Sequence, residues 1–271
     1  MKCPACFRHC ELTLGQKGYC LARENSDGRI VANNYGLVTS LALDPIEKKP
    51  LAYFYPGSLI LSVGSYGCNL ACPFCQNHEI SKVDLEKGAY RLSPQQLVTK
   101  ALDLKSSGNI GIAFTYNEPL VGYEYVRDTA KLAKEQKLKT VLVTNGCFTD
   151  EVIKQILPYI DAMNIDLKGF SAEYFKYIGG DLAMTKNFIQ QAYLKTHVEL
   201  TTLLVPGKND SPAEIRSMSA WIASLNPQMP LHLTRYFPRY KCKLPPTDYE
   251  DLLRAKKNAE EYLSRVCLGN V

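Results

Sequence analysis

From residue 58 onward, short apolar runs alternate with amphipathic helical stretches, and this alternation restricts the possible fold more than any other feature. Each run is apolar at nearly every position, as strands covered on both faces are, and a helical pattern lies in each connection. The predicted strands are 58–65, 109–115, 139–144, 161–167, 197–205 and 230–234. The pattern therefore predicts an α/β fold in which helices cover a parallel sheet.

Six strand–helix repeats are fewer than the eight of a closed barrel, which usually takes ~250 residues. The sequence therefore predicts a partial (β/α)6 TIM-like barrel, with a doubly wound open sheet as the alternative. In either fold, right-handed crossovers place the strand-to-helix loops at one end of the sheet, where ligands bind. Ser93-Pro94 and Ser211-Pro212, each followed by Gln or Glu, predict two helix starts with capping boxes.

The first 55 residues break this rhythm because they hold four cysteines, several glycines and only short apolar runs. We predict three parts: a cysteine-rich metal-binding module at 1–55, the barrel at 56–240, and a C-terminal helix and tail at 241–271. The small N-terminal part has too little apolar sequence to form a core of its own, which favours a metal as its stabiliser.

The 271 residues carry a net charge of +5 and are 46% hydrophobic, which is ordinary for a globular chain with a sizeable core. The excess of positive charge is small and evenly spread, so the sequence predicts no nucleic-acid partner. No apolar run approaches the ~18 residues of a membrane span, and the N-terminus lacks an apolar signal core. We therefore expect no membrane association and a cytoplasmic location.

In a reducing compartment, clustered cysteines are metal ligands more often than disulfides, although an extracellular disulfide protein is the alternative. Cys68, Cys72 and Cys75 follow the first predicted strand with the spacing C-x3-C-x2-C. Three thiolates can hold three corners of a cubane iron–sulfur cluster and leave one iron open for a ligand. A zinc site with His78 as the fourth ligand is the alternative, but zinc ribbons use paired C-x2-C spacing. Inert core cysteines are the third possibility.

With the aromatic Phe74 before the last cysteine, this loop resembles the signature of the radical S-adenosylmethionine (radical SAM) superfamily, C-x3-C-x-(aromatic)-C. The resemblance implies a [4Fe-4S] cluster on Cys68, Cys72 and Cys75, with S-adenosylmethionine (SAM) bound to the open iron and Phe74 in contact with this cofactor. The segment "TYNEP" at 115–119 stands where the superfamily often has "GGEP". The match implies that Asn117 and Glu118 hold the SAM amino group, whereas by itself Glu118-Pro119 predicts only a turn.

Two more segments, "TNG" at 144–146 and "DLK" at 166–168, also occur in pyruvate formate-lyase activating enzyme and its relatives. The resemblance implies that Thr144, Asn145, Asp166 and Lys168 line the SAM site. Lys168 would pair with the SAM carboxylate, and Asp166 would bind a ribose hydroxyl or a monovalent cation. The activases have an aspartate before "TNG", whereas this chain has Val143, which departs from the cation site.

Nearly the whole chain is similar to the AmmeMemoRadiSam-system radical SAM proteins. The implied function is reductive cleavage of SAM and abstraction of a hydrogen atom from an unknown protein, peptide or small-molecule substrate. The implied partner is an electron donor such as flavodoxin or ferredoxin. A glycyl-radical enzyme activase is one alternative, although Tyr236-Phe237 replaces the activases' "Tyr-His"; a non-enzymatic electron-transfer or metal-binding protein is another. The similarity rests on "YGLVTSLALDPIEKKPLAYFYPGS", "GCNLACPFCQNHEIS", "TYNEP", "NIDLKGF", "TTLLVPGKND" and "PLHLTRYFPRY".

The N-terminal cysteines have the spacing C-x2-C-x3-C-x9-C, and four thiolates complete a tetrahedral site. We predict structural zinc or another structural metal there, with a second iron–sulfur cluster or free thiols as alternatives. These cysteines are Cys3, Cys6, Cys10 and Cys20. Three other residues have open roles. Cys147 is predicted to fill apolar space and His232 to be a satisfied core histidine, while His232 and Arg235 alternatively meet a substrate.

Overall fold

A computed structural model describes residues 1–84 and 89–271 of the chain. The strands, in chain order, are β1 (Arg23–Ser26), β2 (Arg29–Ala32), β3 (Leu37–Val38), β4 (Ser40–Pro45), β5 (Leu59–Gly64), β6 (Tyr90–Arg91), β7 (Asn109–Phe114), β8 (Lys139–Thr144), β9 (Ala162–Asp166), β10 (His197–Leu204), β11 (Leu231–Arg235) and β12 (Val266–Gly269). The α-helices are α1 (His78–Ser81), α2 (Pro94–Asp103), α3 (Tyr123–Glu135), α4 (Asp150–Ile156), α5 (Ala172–Tyr177), α6 (Leu182–Ala192), α7 (Pro212–Leu225) and α8 (Tyr249–Glu260). In the described ranges, no helix combines the length and apolar content that a bilayer crossing needs.

Eight strands form the main sheet, in the order β12-β11-β10-β9-β8-β7-β5-β4. From β5 to β12 the neighbouring strands run parallel, while β4 pairs antiparallel with β5. All six predicted strands lie side by side in chain order without a reversal. A doubly wound sheet reverses its order at a switch point, so this order confirms the predicted barrel-type arrangement.

Helix starts follow the serine signals, although one of them differs in detail. Ser93 caps α2 with the complete capping box, in which the Gln96 side chain accepts from the Ser93 N–H. Ser211 caps α7, but the Glu214 carboxylate accepts from the Phe170 N–H (2.6 Å). A tertiary contact has therefore taken the carboxylate that the second capping box was predicted to use.

The parallel strands separate two apolar layers because successive side chains point to opposite faces of a sheet. The larger layer packs against the helices, and its strand residues include Leu61, Ile112, Leu142, Met163 and Leu200. The smaller layer lies on the other face and comprises Ile46, Leu51, Ile60, Ala113, Val141 and Ala162. This second face is the inside of the partial barrel, and Ile46 and Leu51 from the segment between β4 and β5 pack against it.

The two edge strands of the main sheet come from segments that the sequence analysis assigned to the N-terminal module and to the C-terminal helix and tail. β4 belongs to residues 1–55 and β12 to residues 241–271, yet each pairs along one side with a barrel strand. Within the described residues these two strands are the sheet edges and do not pair with each other. The division at residues 55 and 240 stays a prediction, with the qualification that the sheet itself extends across both positions.

The N-terminal module packs against the carboxyl end of the sheet. Arg23 on the β1–β2 hairpin is buried and pairs with Glu124 of α3 (2.7 Å). Cys6 forms a β-bridge with Phe148, in the loop after β8, and the Thr149 hydroxyl donates to the Pro4 carbonyl (2.8 Å). The module is therefore fixed beside the loops where a ligand of a parallel sheet binds.

Candidate active site

The three-cysteine loop follows β5 at the carboxyl end of the sheet. The Cys68 Sγ accepts a hydrogen bond from the Leu70 N–H (3.4 Å). Burial raises the pKa of the Cys68 and Cys72 thiols, while Lys82 and Lys168 respectively act to lower it. Because iron binds thiolates, cations beside these sulfurs favour the form that ligates.

Glu118 lies just after β7 and connects two neighbouring loops of this edge. Its side chain is 3% exposed. One carboxylate oxygen accepts from the Thr144 hydroxyl (2.7 Å) and the other from the Asn145 N–H (2.7 Å). Burial raises the pKa of Glu118 to about 7, against the lowering effect of these hydrogen bonds. The carboxyl group therefore titrates near neutral pH, and its ionised form can bind a cationic group of a ligand.

Asn145 links the loop after β8 to the three-cysteine loop. Its side-chain amide donates to the Asn69 Oδ1 (2.8 Å) and lies 3.9 Å from the Cys68 Sγ. Asn69 in turn donates to the Cys147 carbonyl (3.0 Å). Since both asparagines are buried, these contacts hold the two loops in one relative position.

Asp166 is the last residue of β9, Lys168 follows the strand, and the two form an ion pair of 2.8 Å. Burial lowers the pKa of Lys168, but the Asp166 carboxylate and the Cys72 thiol outweigh it, so the pKa is raised above its usual value. Lys168 therefore stays a cation within electrostatic reach of the cysteine loop. Its charge suits it to an anionic group of a ligand at this edge.

Two residues predicted to contact the cofactor are engaged in loop packing. The Asn117 side chain accepts from the Ser65 N–H (3.0 Å) and donates to the Tyr66 carbonyl (3.0 Å). Phe74 is buried and packs edge-on against Tyr236, with ring centroids 6.4 Å apart. As placed, these side chains connect loops to one another, and their contact with SAM stays a prediction.

His232 and Arg235 on β11 both have protein partners. The His232 Nε2 lies 2.7 Å from one oxygen of the fully buried Glu199, and His197 lies 2.9 Å from the other. Burial acts to raise the pKa of Glu199, but hydrogen bonds from both histidines and two backbone N–H groups lower it to about 2. Arg235 donates to the Thr247 carbonyl (2.7 Å). The geometry matches the prediction of a satisfied core histidine.

Cys147 and His78 lie close to the cysteine loop. Cys147 is fully buried, and its thiol contacts the Thr185 hydroxyl (3.0 Å). The His78 ring stacks on Tyr240 at 4.5 Å, with its Nδ1 3.3 Å from the Cys75 carbonyl. Cys147 therefore fills apolar space, as predicted, and His78 makes an aromatic contact.

The four N-terminal cysteines line one small cavity of ≈ 10 Å³ together with Arg23 and Phe148. Burial, with smaller contributions from the neighbouring thiols of Cys20, Cys3 and Cys10, raises the pKa of Cys6 to about 12. The thiols are therefore close to one another, as the spacing predicts. That they bind a metal stays a prediction, because the thiols as placed do not form a metal-binding group.

Sequence reasoning missed three residues at the site. Asn69 lies inside the cysteine motif. Its position was predictable in principle, because an asparagine in an apolar loop needs hydrogen-bond partners. Arg8 and Lys82 donate to the backbone carbonyls of Asn69 and Leu70. A carbonyl acceptor exists at every residue, so the sequence contains no sign of such contacts.

The donor set suits a cluster better than one ion. Within the described residues, no three His, Cys, Asp or Glu side chains are arranged to hold a single metal ion, and this holds for the four N-terminal cysteines as well. A cubane binds its thiolates at separate corners, and the three cysteines of one loop with an N–H donor to Cys68 fit that demand. The Tyr174 hydroxyl, buried near Cys72 and Lys168, has no hydrogen-bond partner in the described structure. A bound cofactor would satisfy such a group.

The family model described as "Radical SAM superfamily" matches residues 62–218, which is more than half of the chain. The chain belongs to the Radical SAM superfamily. Membership implies a [4Fe-4S] cluster and SAM as cofactors, and it makes the chain an enzyme rather than a non-enzymatic metal-binding protein.

Relatives and solved structures agree with this assignment. The chain is 40% identical over 276 residues to "Uncharacterized protein MJ0808" of Methanocaldococcus jannaschii, covering 100% of this chain and 81% of that protein. It is 27% identical to the pyruvate formate-lyase-activating enzyme of Clostridium pasteurianum, covering 59% of this chain and 67% of that one. A domain of the pyruvate-formate lyase-activating enzyme from Bacteroides vulgatus superposes with a TM-score of 0.52 at 20% identity, covering 59% of this chain and 99% of that domain. The last likeness supports the partial-barrel fold.

Proposed function

We propose that this radical SAM enzyme holds a [4Fe-4S] cluster on Cys68, Cys72 and Cys75 and cleaves SAM reductively. The substrate, a protein, peptide or small molecule, would lose a hydrogen atom, and a flavodoxin- or ferredoxin-type donor would supply the electron. The observation that supports this most directly is the meeting of three loops at Cys68. The loop after β8 reaches Cys68 through Asn145, and Asn145 also donates to Glu118 of the loop after β7.

When bound, the reduced cluster supplies the electron that splits SAM and yields a 5′-deoxyadenosyl radical. The chain's own residues orient the cofactor around that chemistry. Glu118 offers a buried carboxylate to the amino group of SAM, and Lys168 offers a cation to its carboxylate. Asp166 holds the Lys168 ammonium in place and would bind a ribose hydroxyl, whereas a cation beside it is less favoured because Val143 replaces the activases' aspartate.

The substrate would enter where the sheet is open. A cavity of ≈ 780 Å³ lies between the edge strands β4 and β12. Its lining includes charged and polar groups from both edges and from the barrel interior, namely Asp44, Lys49, Tyr116, His232 and Thr234. In strand register, Asp166 is opposite Thr201, and Thr201 is opposite His232, which lines the cavity. The cavity therefore lies two strands away from Asp166, one of the residues proposed to bind SAM. A polar substrate fits such a lining better than an apolar one.

A glycyl-radical enzyme activase is the second candidate because relatives of the chain are named pyruvate formate-lyase-activating enzymes. Phe237, which replaces the activases' histidine, is 46% exposed, while Tyr236 is buried. The imidazole of those enzymes therefore has no counterpart at this position, and the activase remains the narrower alternative.

At the N-terminus, we propose that Cys3, Cys6, Cys10 and Cys20 bind a structural metal, with zinc favoured over a second iron–sulfur cluster. The four thiols share one cavity, and the module around them has little core of its own.

The test is anaerobic reconstitution with iron and sulfide, followed by reduction in the presence of SAM. We expect a [4Fe-4S] chromophore and production of 5′-deoxyadenosine and methionine. A cluster that is reduced without SAM cleavage would contradict the proposal. The control is Cys267→Ala, which removes a cysteine of β12 outside both groups.

A further inference from the structure

The peptide group between Asn69 and Leu70 is held at both ends. Its N–H, from Leu70, donates to the Cys68 Sγ (3.4 Å), and its carbonyl, from Asn69, accepts from the Arg8 Nε (2.5 Å). An amide that points its N–H at a thiolate has its carbonyl on the far side, and a cation there stabilises that orientation. Arg8 therefore acts on Cys68 through a single peptide unit.

The same guanidinium of Arg8 also binds a second chain segment, at Gly179. A terminal nitrogen donates to the Gly179 carbonyl (2.8 Å), so two donors of one planar group reach carbonyls from chain segments far apart in sequence. Gly179 has a φ of +65°, a left-handed conformation that favours glycine, and a Cβ there would stand 3.0 Å from this nitrogen. A lysine ammonium is a compact point charge and cannot reproduce the fork.

The N-terminal module fixes Arg8 from the opposite side. Arg8 lies in sequence between Cys6 and Cys10, and its guanidinium carbon lies 3.5 Å from the centroid of the Tyr19 ring. Tyr19 precedes Cys20, whose carbonyl would be 2.5 Å from a Cβ at Gly67 in the loop before Cys68. If the N-terminal cysteines bind a metal, as proposed, that metal would link Cys6, Cys10 and Cys20 and so constrain both Arg8 and Tyr19.

We propose that Arg8 is a positioning residue for the cluster: it orients the Asn69–Leu70 peptide toward Cys68 and so couples the N-terminal module to the radical SAM loop. This inference rests on the proposed function, since it concerns the cluster on Cys68. Hydrogen bonds to cluster sulfurs and nearby positive charge stabilise the reduced cluster and raise its reduction potential. Loss of Arg8 removes the charge and leaves the Leu70 N–H free to turn away from Cys68, so the potential falls.

The experiment compares Arg8→Ala and Arg8→Lys with the wild type in two measurements. Amide hydrogen exchange of the peptide covering 66–72, in the protein before reconstitution, reports whether the Leu70 N–H is protected. We expect exchange at least about tenfold faster in Arg8→Ala, as for the loss of one hydrogen bond. Spectroscopic redox titration of the reconstituted protein should give a more negative midpoint potential, with a smaller shift for Arg8→Lys.

Arg29→Ala is the matched control because Arg29 is an exposed arginine on β2 of the same module. It should leave both measurements unchanged. Unchanged exchange and an unchanged midpoint in Arg8→Ala would overturn the inference. If Arg8→Ala fails to fold, the test rests on Arg8→Lys. Wild-type exchange and a wild-type midpoint potential in Arg8→Lys would overturn the inference, because a lysine cannot donate to both carbonyls as the guanidinium does. A wild type that binds no cluster would refute the proposed function, while the exchange measurement would still test Arg8.

Discussion

The two cysteine groups of this protein differ in what surrounds their sulfurs. Cys3, Cys6, Cys10 and Cys20 face one another across a cavity of ≈ 10 Å³, and neighbouring thiols are among the groups that act on Cys6. The three cysteines after β5 are one thiol short of such a set. Polar and charged groups that can bind a ligand surround them: a buried carboxylate, a lysine cation and asparagine amides from adjacent loops.

This difference is the one expected between the closed site and the open site proposed above. Four thiolates leave a metal no vacant position, which suits a stabilising role. Three thiolates beside Glu118 and Lys168 leave a position that a zwitterionic ligand can occupy, with a charged partner for each of its ends. Position in the fold agrees, because the open set lies at the carboxyl end of the parallel strands and the closed set lies outside the sheet.

The largest expected effect comes from removing the open set. Replacing Cys68, Cys72 and Cys75 together by Ala should abolish the [4Fe-4S] chromophore and SAM cleavage, because no thiolate remains on the loop. Metal analysis of the same variant sharpens the comparison. Bound zinc with little iron would identify the N-terminal group as a closed zinc site, whereas a residual iron–sulfur chromophore would make it a second cluster. Retained SAM cleavage would contradict the assignment of the open set.

Removing a ligand of the closed set should act on stability. Cys3→Ser or Cys20→Ser should lower the melting temperature by about 10 °C, since a structural metal contributes several kcal/mol and each is worth about 2–4 °C in a chain of this size. SAM cleavage per folded molecule should fall less. Thermal unfolding and turnover, measured on the same preparation, check this against Cys267→Ala. A normal melting temperature with lost turnover would point to an auxiliary cluster.

The barrel was predictable because its strands are apolar on both faces, which marks a sheet covered by helices. β8 matches its predicted range of 139–144, and β5 lies within one residue of its own at each end. The edge strand β4 was not predicted, since its residues are mostly half-exposed and include Asp44 and Pro45, which break the apolar pattern. An edge strand covered on fewer sides needs fewer apolar residues.

At the site, the motifs that resemble those of radical SAM proteins located Glu118 and Asn145. The strand pattern supported this, because the carboxyl ends of parallel strands meet at one edge. Glu118 and Asn145 do lie together there. Arg8 could not be found this way, since it acts on a backbone carbonyl across 61 residues of chain. Glu199 did leave a signal, a charge inside the apolar β10, and its two histidine partners explain how the strand tolerates it.

The next effect concerns the charge partners that distinguish the open set. Glu118→Ala and Lys168→Ala should each weaken SAM binding while leaving the iron content unchanged. Loss of a charge-assisted contact costs about 1.5–3 kcal/mol, which is about ten- to hundredfold in affinity. Anaerobic calorimetry on reconstituted protein measures this, with Lys176→Ala as the control because Lys176 is an exposed lysine on α5. Wild-type affinity in both variants would mean that SAM binds elsewhere.

The smallest effect is a pH dependence that belongs to Glu118. Its pKa in the SAM-free protein is raised to about 7, chiefly by burial, so the carboxylate is protonated at pH 6 and ionised at pH 8. If the ionised form binds SAM, affinity falls as pH drops through 7, by up to about tenfold between pH 8 and pH 6. The SAM amino group titrates as well, but equally for every variant, so Glu118→Gln should lack only the Glu118 share. The exposed Glu173→Gln on α5 should keep the wild-type profile. Parallel profiles for wild type and Glu118→Gln would show that ionisation of Glu118 does not contribute to SAM binding. The contrast between an open site with charged partners for a ligand and a closed site without them would then rest on Lys168.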